Sequence, residues 1–99
     1  MAAYAIGRLT MRDPSWRTEY GPKTAELVTK HGGRFLVRGG AAERLEGEGA
    51  LPNVIVVLEF PSMDQAKKWY HSPEYAPALA LRTKAARSKV VLVEGAPPA

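Results

Sequence analysis

Four side chains in this 99-residue sequence are of types that can bind a small molecule and move its protons: Arg38, Glu59, His71 and Tyr75. An arginine holds carboxylate or phenolate groups, and a Tyr–His pair can transfer protons near neutral pH. We therefore predict His71 and Tyr75 as catalytic residues, and Arg38, Glu59 and Trp69 as substrate-binding residues. The competing interpretation is structural: Arg38 and Glu59 form an ion pair, while Tyr75 closes the core beside Trp69.

Other reactive patterns are missing from the sequence. His31 falls at a predicted helix end, where it can cap carbonyl groups, and no second histidine or cysteine stands at ligand spacing from His71. Neither Ser62 nor Ser72 lies on a nucleophile elbow, and the glycines match no phosphate-binding loop. We expect neither a metal nor a bound cofactor.

The segment WYHSPEYAPAL, residues 69–79, is predicted to join two helices at His71-Ser72. Ser72 is a good N-cap, and Pro73 suits the first helical position because its missing N–H needs no partner there. Helical spacing then places Tyr75 in line with Ala78, Leu79 and Arg82. Tyr75 and Trp69 should lie against the sheet. The main interpretation of the segment is a helix–helix junction, and the secondary one is the wall of a binding site.

The elements that must position these residues follow from periodicity and from start and stop signals. Strands are predicted at 3–10, 34–38, 53–60 and 89–94, with a further short strand at 42–47. A first helix begins at Asp13-Pro14, bends or breaks at Pro22 and stops at Gly32-Gly33. Ser62 and Gln65 open a second helix at capping-box spacing, and a third runs to about Arg87.

This order of elements predicts an α+β protein with a ferredoxin-like βαββαβ sandwich and one antiparallel sheet. We expect residues 1–95 to form one domain and residues 96–99 to be a flexible tail. Both sheet faces are apolar, whereas two helical segments in a monomer cover only one of them. The uncovered set is predicted to include Leu36, Ile55, Val57, Val90 and Leu92. A second copy of the chain is the expected cover, with Leu36, Ile55, Val57 and Leu92 in the interface.

Composition restricts the classes of partner that we expect for this protein. The formal charge of +4 is spread along the chain among acidic residues, so we expect no nucleic-acid partner. The chain has no cysteine, its first nine residues are not signal-like, and no apolar run approaches the ~20 residues that span a bilayer. A cytoplasmic protein without membrane contact is the expectation.

Three stretches carry a family resemblance over Tyr4 to Gly95: KHGGRFLVRGG, VVLEFPSMDQAKKWYHSPEYAPALALR and VVLVEG. They resemble the domain-of-unknown-function 1330 family of short bacterial proteins. The resemblance implies a dimeric α+β barrel and supplies no reaction; related barrels include cofactor-independent monooxygenases and small-ligand binders. Two functions stay open. One is a cofactor-independent enzyme acting on a small aromatic or acidic metabolite, and the other is a non-catalytic homodimeric module for small-molecule binding or interaction.

Overall fold

The chain alternates strands and helices in the predicted order. The computed structural model describes residues 1–11, 17–49, 51–52 and 54–96. The elements are β1 (Ala3–Met11), α1 (Arg17–Lys30), β2 (Arg34–Arg38), β3 (Val54–Phe60), α2 (Met63–Tyr70), α3 (Ala76–Ala85) and β4 (Ala86–Glu94). The strand predicted at 42–47 is wrong, because those residues have no strand structure.

The four strands form one antiparallel sheet in the order β2-β3-β1-β4. This order, with both crossovers placing helices on one side, confirms the ferredoxin-like α+β fold. Ala3, Leu58 and Phe60 of the sheet are buried against Val28, Trp69 and Tyr75 of the helical side. None of the described helices is long and apolar enough to cross a bilayer.

The register of the sheet assigns each residue to a face. Residues that stand opposite each other share a face, so the sheet consists of transverse rows. On the helix-covered side one row holds Val90, Gly7, Val56 and Arg38. On the uncovered side, called here the outer face, one row holds Val91, Ile6, Val57 and Val37.

These rows correct two sequence predictions. Val90 and Leu92 were expected on the uncovered face, but they pair opposite Gly7 and Ala5 on the helix-covered face. Their neighbours Val91 and Val93 take the outer face, where they are 60% and 45% exposed. Both alternating sets of β4 side chains are apolar, so composition does not show which set lies on which face of the sheet. The pairing of β4 with β1 decides this.

The second correction lies in β2. The register shifts between Phe35 and Val37, so Leu36 is an extra residue in the ladder. Val37 therefore joins the outer face, and Arg38 turns to the helix-covered face. Strict alternation predicted the opposite for both, because a single inserted residue reverses every side chain beyond it.

The first helix ends where the sequence predicts. Gly32 has φ of 80°, and the N–H groups of Gly32 and Gly33 donate to Thr29 and Val28. These two backbone hydrogen bonds form a helix C-terminal motif in which the residue with positive φ is usually glycine. His31 Nδ1 donates to the Leu27 carbonyl oxygen at 2.9 Å, which confirms its capping role.

The start of that helix is a different case. The predicted N-cap Asp13 and Pro14 lie outside the described residues. The break predicted at Pro22 is wrong, because α1 runs through it from Arg17 to Lys30. The bend, which was the alternative to a break, stays a prediction. Proline removes one hydrogen bond there, and the remaining helical bonds keep the segment helical.

The joint between α2 and α3 is built on Ser72. Its hydroxyl donates to the Trp69 carbonyl at 2.9 Å and accepts from the Tyr75 N–H at 3.2 Å. The two predicted helices are confirmed, but α3 begins at Ala76 rather than Pro73. Ser72 therefore caps a turn that precedes α3, while Ser62 caps α2 by accepting from the Gln65 N–H.

Candidate functional site

A cavity of about 180 Å³ lies between the sheet and all three helices. Its floor is the row of β-strand residues that contains Val90, Gly7 and Val56, and its roof comes from side chains of the helices. An engineered apolar cavity of about 150 Å³ is large enough to bind benzene. The space therefore matches one aromatic ring with a small substituent.

Gly7 creates part of this space. A Cβ built on Gly7 would meet Leu9 Cδ1 at 3.5 Å and Val90 Cγ2 at 3.9 Å, which are ordinary contacts. Glycine is thus not required by crowding, although it weakens a strand interior. A glycine in this place lets a bound molecule approach the backbone of β1.

One wall of the cavity is aromatic. Trp69 and Tyr75 are 3% and 0% exposed, and their ring centroids lie 4.6 Å apart. The Phe60 ring centroid lies 5.3 Å from that of Trp69. The expected burial of both residues against the sheet is confirmed, and both line the cavity.

Arg38 reaches the same cavity because of the β2 irregularity. Its guanidinium carbon lies 4.4 Å from the Phe35 ring centroid, and both residues line the cavity. A cation over a ring face is favourable, and the ring orients the guanidinium. Arg38 is exposed, so it stands at the rim. Of the five predicted site residues, Arg38, Trp69 and Tyr75 come together.

Two residues of the cavity were not predicted as site residues. Arg82 of α3 is 6% exposed and Thr24 of α1 is 5% exposed, and both line the cavity. The sequence carried a signal for Arg82, because it shares a helical stripe with Tyr75, Ala78 and Leu79. A cation on an apolar stripe either reaches out to water or faces a buried polar site.

Buried polar atoms of these residues lack partners. Thr24 Oγ1, Trp69 Nε1 and Arg82 Nε have no hydrogen-bond partner among the described residues. The three residues belong to three different helices and line one cavity, but these three atoms have almost no accessible surface.

The structure separates His71 and Glu59 from this cavity. His71 is exposed, stacks edge-on against Tyr70 at 5.2 Å, and lines a second cavity of about 300 Å³ between α2 and β4. Trp69 borders both cavities. The catalytic role of His71 stays a prediction.

Glu59 lies on the outer face, with different partners from those expected. Arg34 Nε donates to its Oε1 at 2.7 Å, and the Tyr4 hydroxyl donates to its Oε2 at 3.1 Å. These bonds, first from Arg34 and then from Tyr4, hold the pKa of Glu59 below its usual value. The Tyr4 pKa is raised, mainly by its hydrogen bond to Glu59. The ion pair expected between Glu59 and Arg38 is wrong, since Arg34 takes that place.

Metal binding has no obvious place in the described part of the chain. No group of three or more histidine, aspartate or glutamate side chains is arranged there to hold an ion. The polar residues that line the first cavity are Thr24, Arg38, Trp69, Tyr75 and Arg82. This set is rich in hydrogen-bond donors and includes two guanidinium groups, so it suits an occupant rich in acceptors.

Fold and sequence together define the class as ferredoxin-like α+β proteins. The chain belongs to the family described as "Domain of unknown function (DUF1330)", whose model matches residues 2–96. No curated protein matches the chain.

Solved structures share the fold at low identity. RPA0582 of Rhodopseudomonas palustris, a protein of unknown function, has a TM-score of 0.78 and 18% identity over 98% of this chain and 84% of its own. SnoaB of Streptomyces nogalater, a cofactor-independent oxygenase, has a TM-score of 0.67 and 15% identity over 98% and 95%. A dimeric protein of unknown function and ferredoxin-like fold from Bacteroides fragilis has a TM-score of 0.54 and 16% identity over 95% and 96%.

Proposed function

We propose that this protein is an enzyme that acts on a small aromatic or acidic metabolite without a bound cofactor, in the cavity above Gly7. The observation that carries the proposal is the cavity itself, which is ring-sized and combines an aromatic wall with arginine side chains. Ligand sites are commonly concave and mostly apolar, with a few polar groups that fix the orientation of the ligand.

Each cavity residue has a role in this proposal. Trp69 packs against the ring of the metabolite, Arg38 binds its acidic group from the rim, and Tyr75 contacts it directly as the catalytic residue. Guanidinium groups stabilise the anionic form of a phenol or carbon acid, which is the more electron-rich and reactive form. SnoaB, named as a cofactor-independent oxygenase, supports the view that this fold can carry out such chemistry without a cofactor.

A second candidate is a non-catalytic module that binds the same kind of molecule. One observation favours it: the described residues that line the cavity include no histidine, aspartate or glutamate, the usual bases near neutral pH. Tyrosine and arginine bind an anion well but take up a proton poorly at that pH. Binding and turnover must therefore be measured separately.

The experiment offers single-ring phenols, quinols and aromatic acids to the purified protein under air and under argon. Binding is measured by calorimetry, and turnover by mass spectrometry of the products together with dioxygen uptake. Gly7→Val adds side-chain volume at the cavity floor and should abolish both, and thermal unfolding checks that the variant is folded; the Cβ itself meets only ordinary contacts. Binding without turnover of any compound would favour the second candidate, and equal behaviour of wild type and Gly7→Val would refute both.

We also propose a homodimer in which the outer faces of two sheets pack together. The apolar row of Val91, Ile6, Val57 and Val37 crosses all four strands. Val91 and Val37 are 60% and 41% exposed in the single chain, and such a contiguous patch is typical of an interface. The dimeric relative from Bacteroides fragilis supports the proposal.

The predicted interface residues need one correction. Leu36, Ile55 and Val57 stay candidates, whereas Leu92 packs against the core beneath the helices. Val91 and Val93 take its place on the outer face. Sedimentation velocity at micromolar concentration tests the proposal, which a wild-type monomer would refute.

A further inference from the structure

Three cations lie together at one end of the outer face. Arg8 stands directly opposite Lys89, and Thr10 stands opposite Arg87, in the pairing of β1 with β4. The three cations are exposed, and none of them forms an ion pair with a carboxylate among the described residues. Like charges directly opposite each other in a sheet are destabilising. This group, called here the cationic end, therefore lacks a counter-charge within the described part of the chain.

The cationic end borders the apolar row of the proposed dimer interface. Lys89 lies two positions from Val91 on β4, so the two side chains share a face. At the other end of the same face, Arg34 and Glu59 neutralise each other as an ion pair at 2.7 Å. The outer face thus has an apolar middle, a neutralised end and a cationic end.

The β2–β3 loop carries the opposite charge. Residues 39–49, called here the acidic loop, are exposed throughout. Its carboxylates belong to Glu43, Glu46 and Glu48. They form no ion pair with another described residue, and the one arginine of the loop, Arg44, donates to the Gly49 carbonyl oxygen within it. Three glutamates and one arginine give the acidic loop a formal charge of −2.

Within one chain, the acidic loop and the cationic end lie at the same end of the sheet. The Gly39 N–H donates to the Ile55 carbonyl oxygen at 2.9 Å, so the loop leaves the sheet beside Ile55. Ile55 stands opposite Arg8, which stands opposite Lys89. β2 and β4 are the two edge strands, about 14 Å apart across three inter-strand spacings. The loop therefore begins at one corner of the sheet, while the cations of β4 occupy the other corner of the same end.

A two-fold dimer brings these two corners together in one of its orientations. When aligned sheets pack face to face, the two-fold axis runs either along the strands or across them. An axis along the strands superposes equal ends and opposite edges, so the acidic loop of each protomer lies over β4 of its partner. An axis across the strands superposes opposite ends and keeps the loop away from the partner's cations. Charge complementarity therefore favours the axis along the strands.

We infer that the acidic loop of each protomer docks on the cationic end of its partner, and that this contact sets the orientation of the dimer. The inference rests on the proposed homodimer, whose apolar row supplies the affinity. Exposed ion pairs contribute little to affinity one by one, whereas complementary charges select one docking orientation and disfavour the others. No single loop carboxylate is essential in this arrangement, because the contact depends on the sign of the whole set.

Charge reversal tests the contact through the dissociation constant of the dimer, measured by sedimentation equilibrium. Arg87→Glu combined with Lys89→Glu places carboxylates against carboxylates and should raise the dissociation constant at least about tenfold, since like charges across an interface are costly. Glu43→Lys combined with Glu48→Lys should raise it by a similar factor. All four changes together should return it to within about threefold of the wild-type value, because opposite signs face each other again.

The matched control reverses two cations on the helical side of the protein. Lys23 of α1 and Lys84 of α3 are exposed, and their helices cover the sheet face that lies away from the outer face. Lys23→Glu combined with Lys84→Glu changes the net charge by the same amount as the β4 reversal. It should leave the dissociation constant within about threefold, since exposed charges farther apart than the Debye length are largely screened. Thermal unfolding checks that every variant is folded.

A second measurement uses the wild-type chain. A carbodiimide joins a carboxylate to a lysine amine in contact with it and leaves no spacer. In dimers assembled from isotopically light and heavy protomers, a link between the acidic loop and Lys89 should join one light peptide to one heavy peptide. Lys89→Arg keeps the charge and removes the amine, so it should eliminate this link and leave the dimer intact.

The outcomes separate the inference from the proposed homodimer. A wild-type monomer would overturn both. A dimer whose dissociation constant is unchanged by the reversals, or whose links to Lys89 all lie within one protomer, would overturn the loop contact and leave the homodimer. Heparin binding by the wild-type dimer that is lost in Arg87→Glu with Lys89→Glu would also overturn it, because the cationic end would then be free to bind a polyanion. Restoration by the four combined changes, together with mixed light and heavy links to Lys89, would establish the contact.

Discussion

The guanidinium of Arg38 lies 4.4 Å from the centre of the Phe35 ring, although three positions separate the two residues along one strand. In a regular strand such residues point to opposite faces. The extra residue in β2 between Phe35 and Val37 brings them to the same face, above the cavity. Bulges often redirect a side chain beside a functional site, and here the redirected side chain is a cation.

Replacing Arg38 should therefore impair ligand binding without affecting the fold. We expect Arg38→Gln to weaken binding of an aromatic acid by about tenfold, the size of one hydrogen bond to a charged group. Calorimetry measures the affinity. Arg44→Gln is the control, since Arg44 lies in the β2–β3 loop and does not line the cavity. Equal loss in both variants would point to a general charge effect.

Tyr75→Phe distinguishes a ligand-binding role of Tyr75 from a purely structural role at the junction of α2 and α3. Tyr75 is fully buried and lines the cavity, so loss of its hydroxyl should abolish ligand binding while the melting temperature stays within a few degrees. In a purely structural role the change would cost about 0.5–1.5 kcal/mol and leave binding intact. Thermal unfolding and calorimetry on the same preparation decide between the two.

The proposed dimer should dissociate when a charge is introduced on the outer face. Val91 is 60% exposed in the single chain, so Val91→Asp should leave the monomer folded and dissociate the dimer. Burying an unpaired carboxylate in the interface is strongly unfavourable. Sedimentation velocity reads the assembly state. Leu45→Asp is the control at a position that is 93% exposed in the β2–β3 loop, and it should change nothing.

Stability should depend on pH through Glu59. Its pKa is lowered in the folded chain by Arg34 and Tyr4, whereas in the unfolded chain it stays near 4.5. The stabilising contribution is therefore present above that value and is lost as the pH falls through the lowered folded pKa. Glu59→Gln should be less stable than wild type at neutral pH, and the difference should shrink in acid. Urea midpoints measured across the pH range test this, with Glu46→Gln as an exposed control.

Gly33 is required by close packing. A Cβ there would lie 2.6 Å from Phe60 Cε1, which is too short for a contact between carbons. We expect Gly33→Ala to cost about 1–3 kcal/mol, the range for overpacking a core. Gly40→Ala is the matched control because no atom lies within 4 Å of the added Cβ. Urea denaturation of both variants measures the difference, and similar midpoints would contradict the packing argument.

Local chemistry in the sequence determined most of the elements. The β-branched run of β3, the glycine stop after α1 and the serine caps at Ser62 and Ser72 depend on neighbours a few residues away. Such signals remain valid in any fold, so strand order followed from them once the topology rules were applied. The joint at Ser72 was predicted for the same reason, while the start of α3 shifted to Ala76 because three residues form a separate turn.

Only the tertiary structure decided which faces meet. Val90 and Val91 are both valines, so their alternation has no polar side, and pairing with β1 assigned them to opposite faces. The irregularity at Leu36 depends on the partner strand, and it alone brought Arg38 to the cavity while Glu59 stayed on the outer face with Arg34. Arg82, Thr24 and Trp69 converge from three helices that local signals build separately. Local propensities act over a few residues, whereas a site is a relationship between elements that only packing establishes.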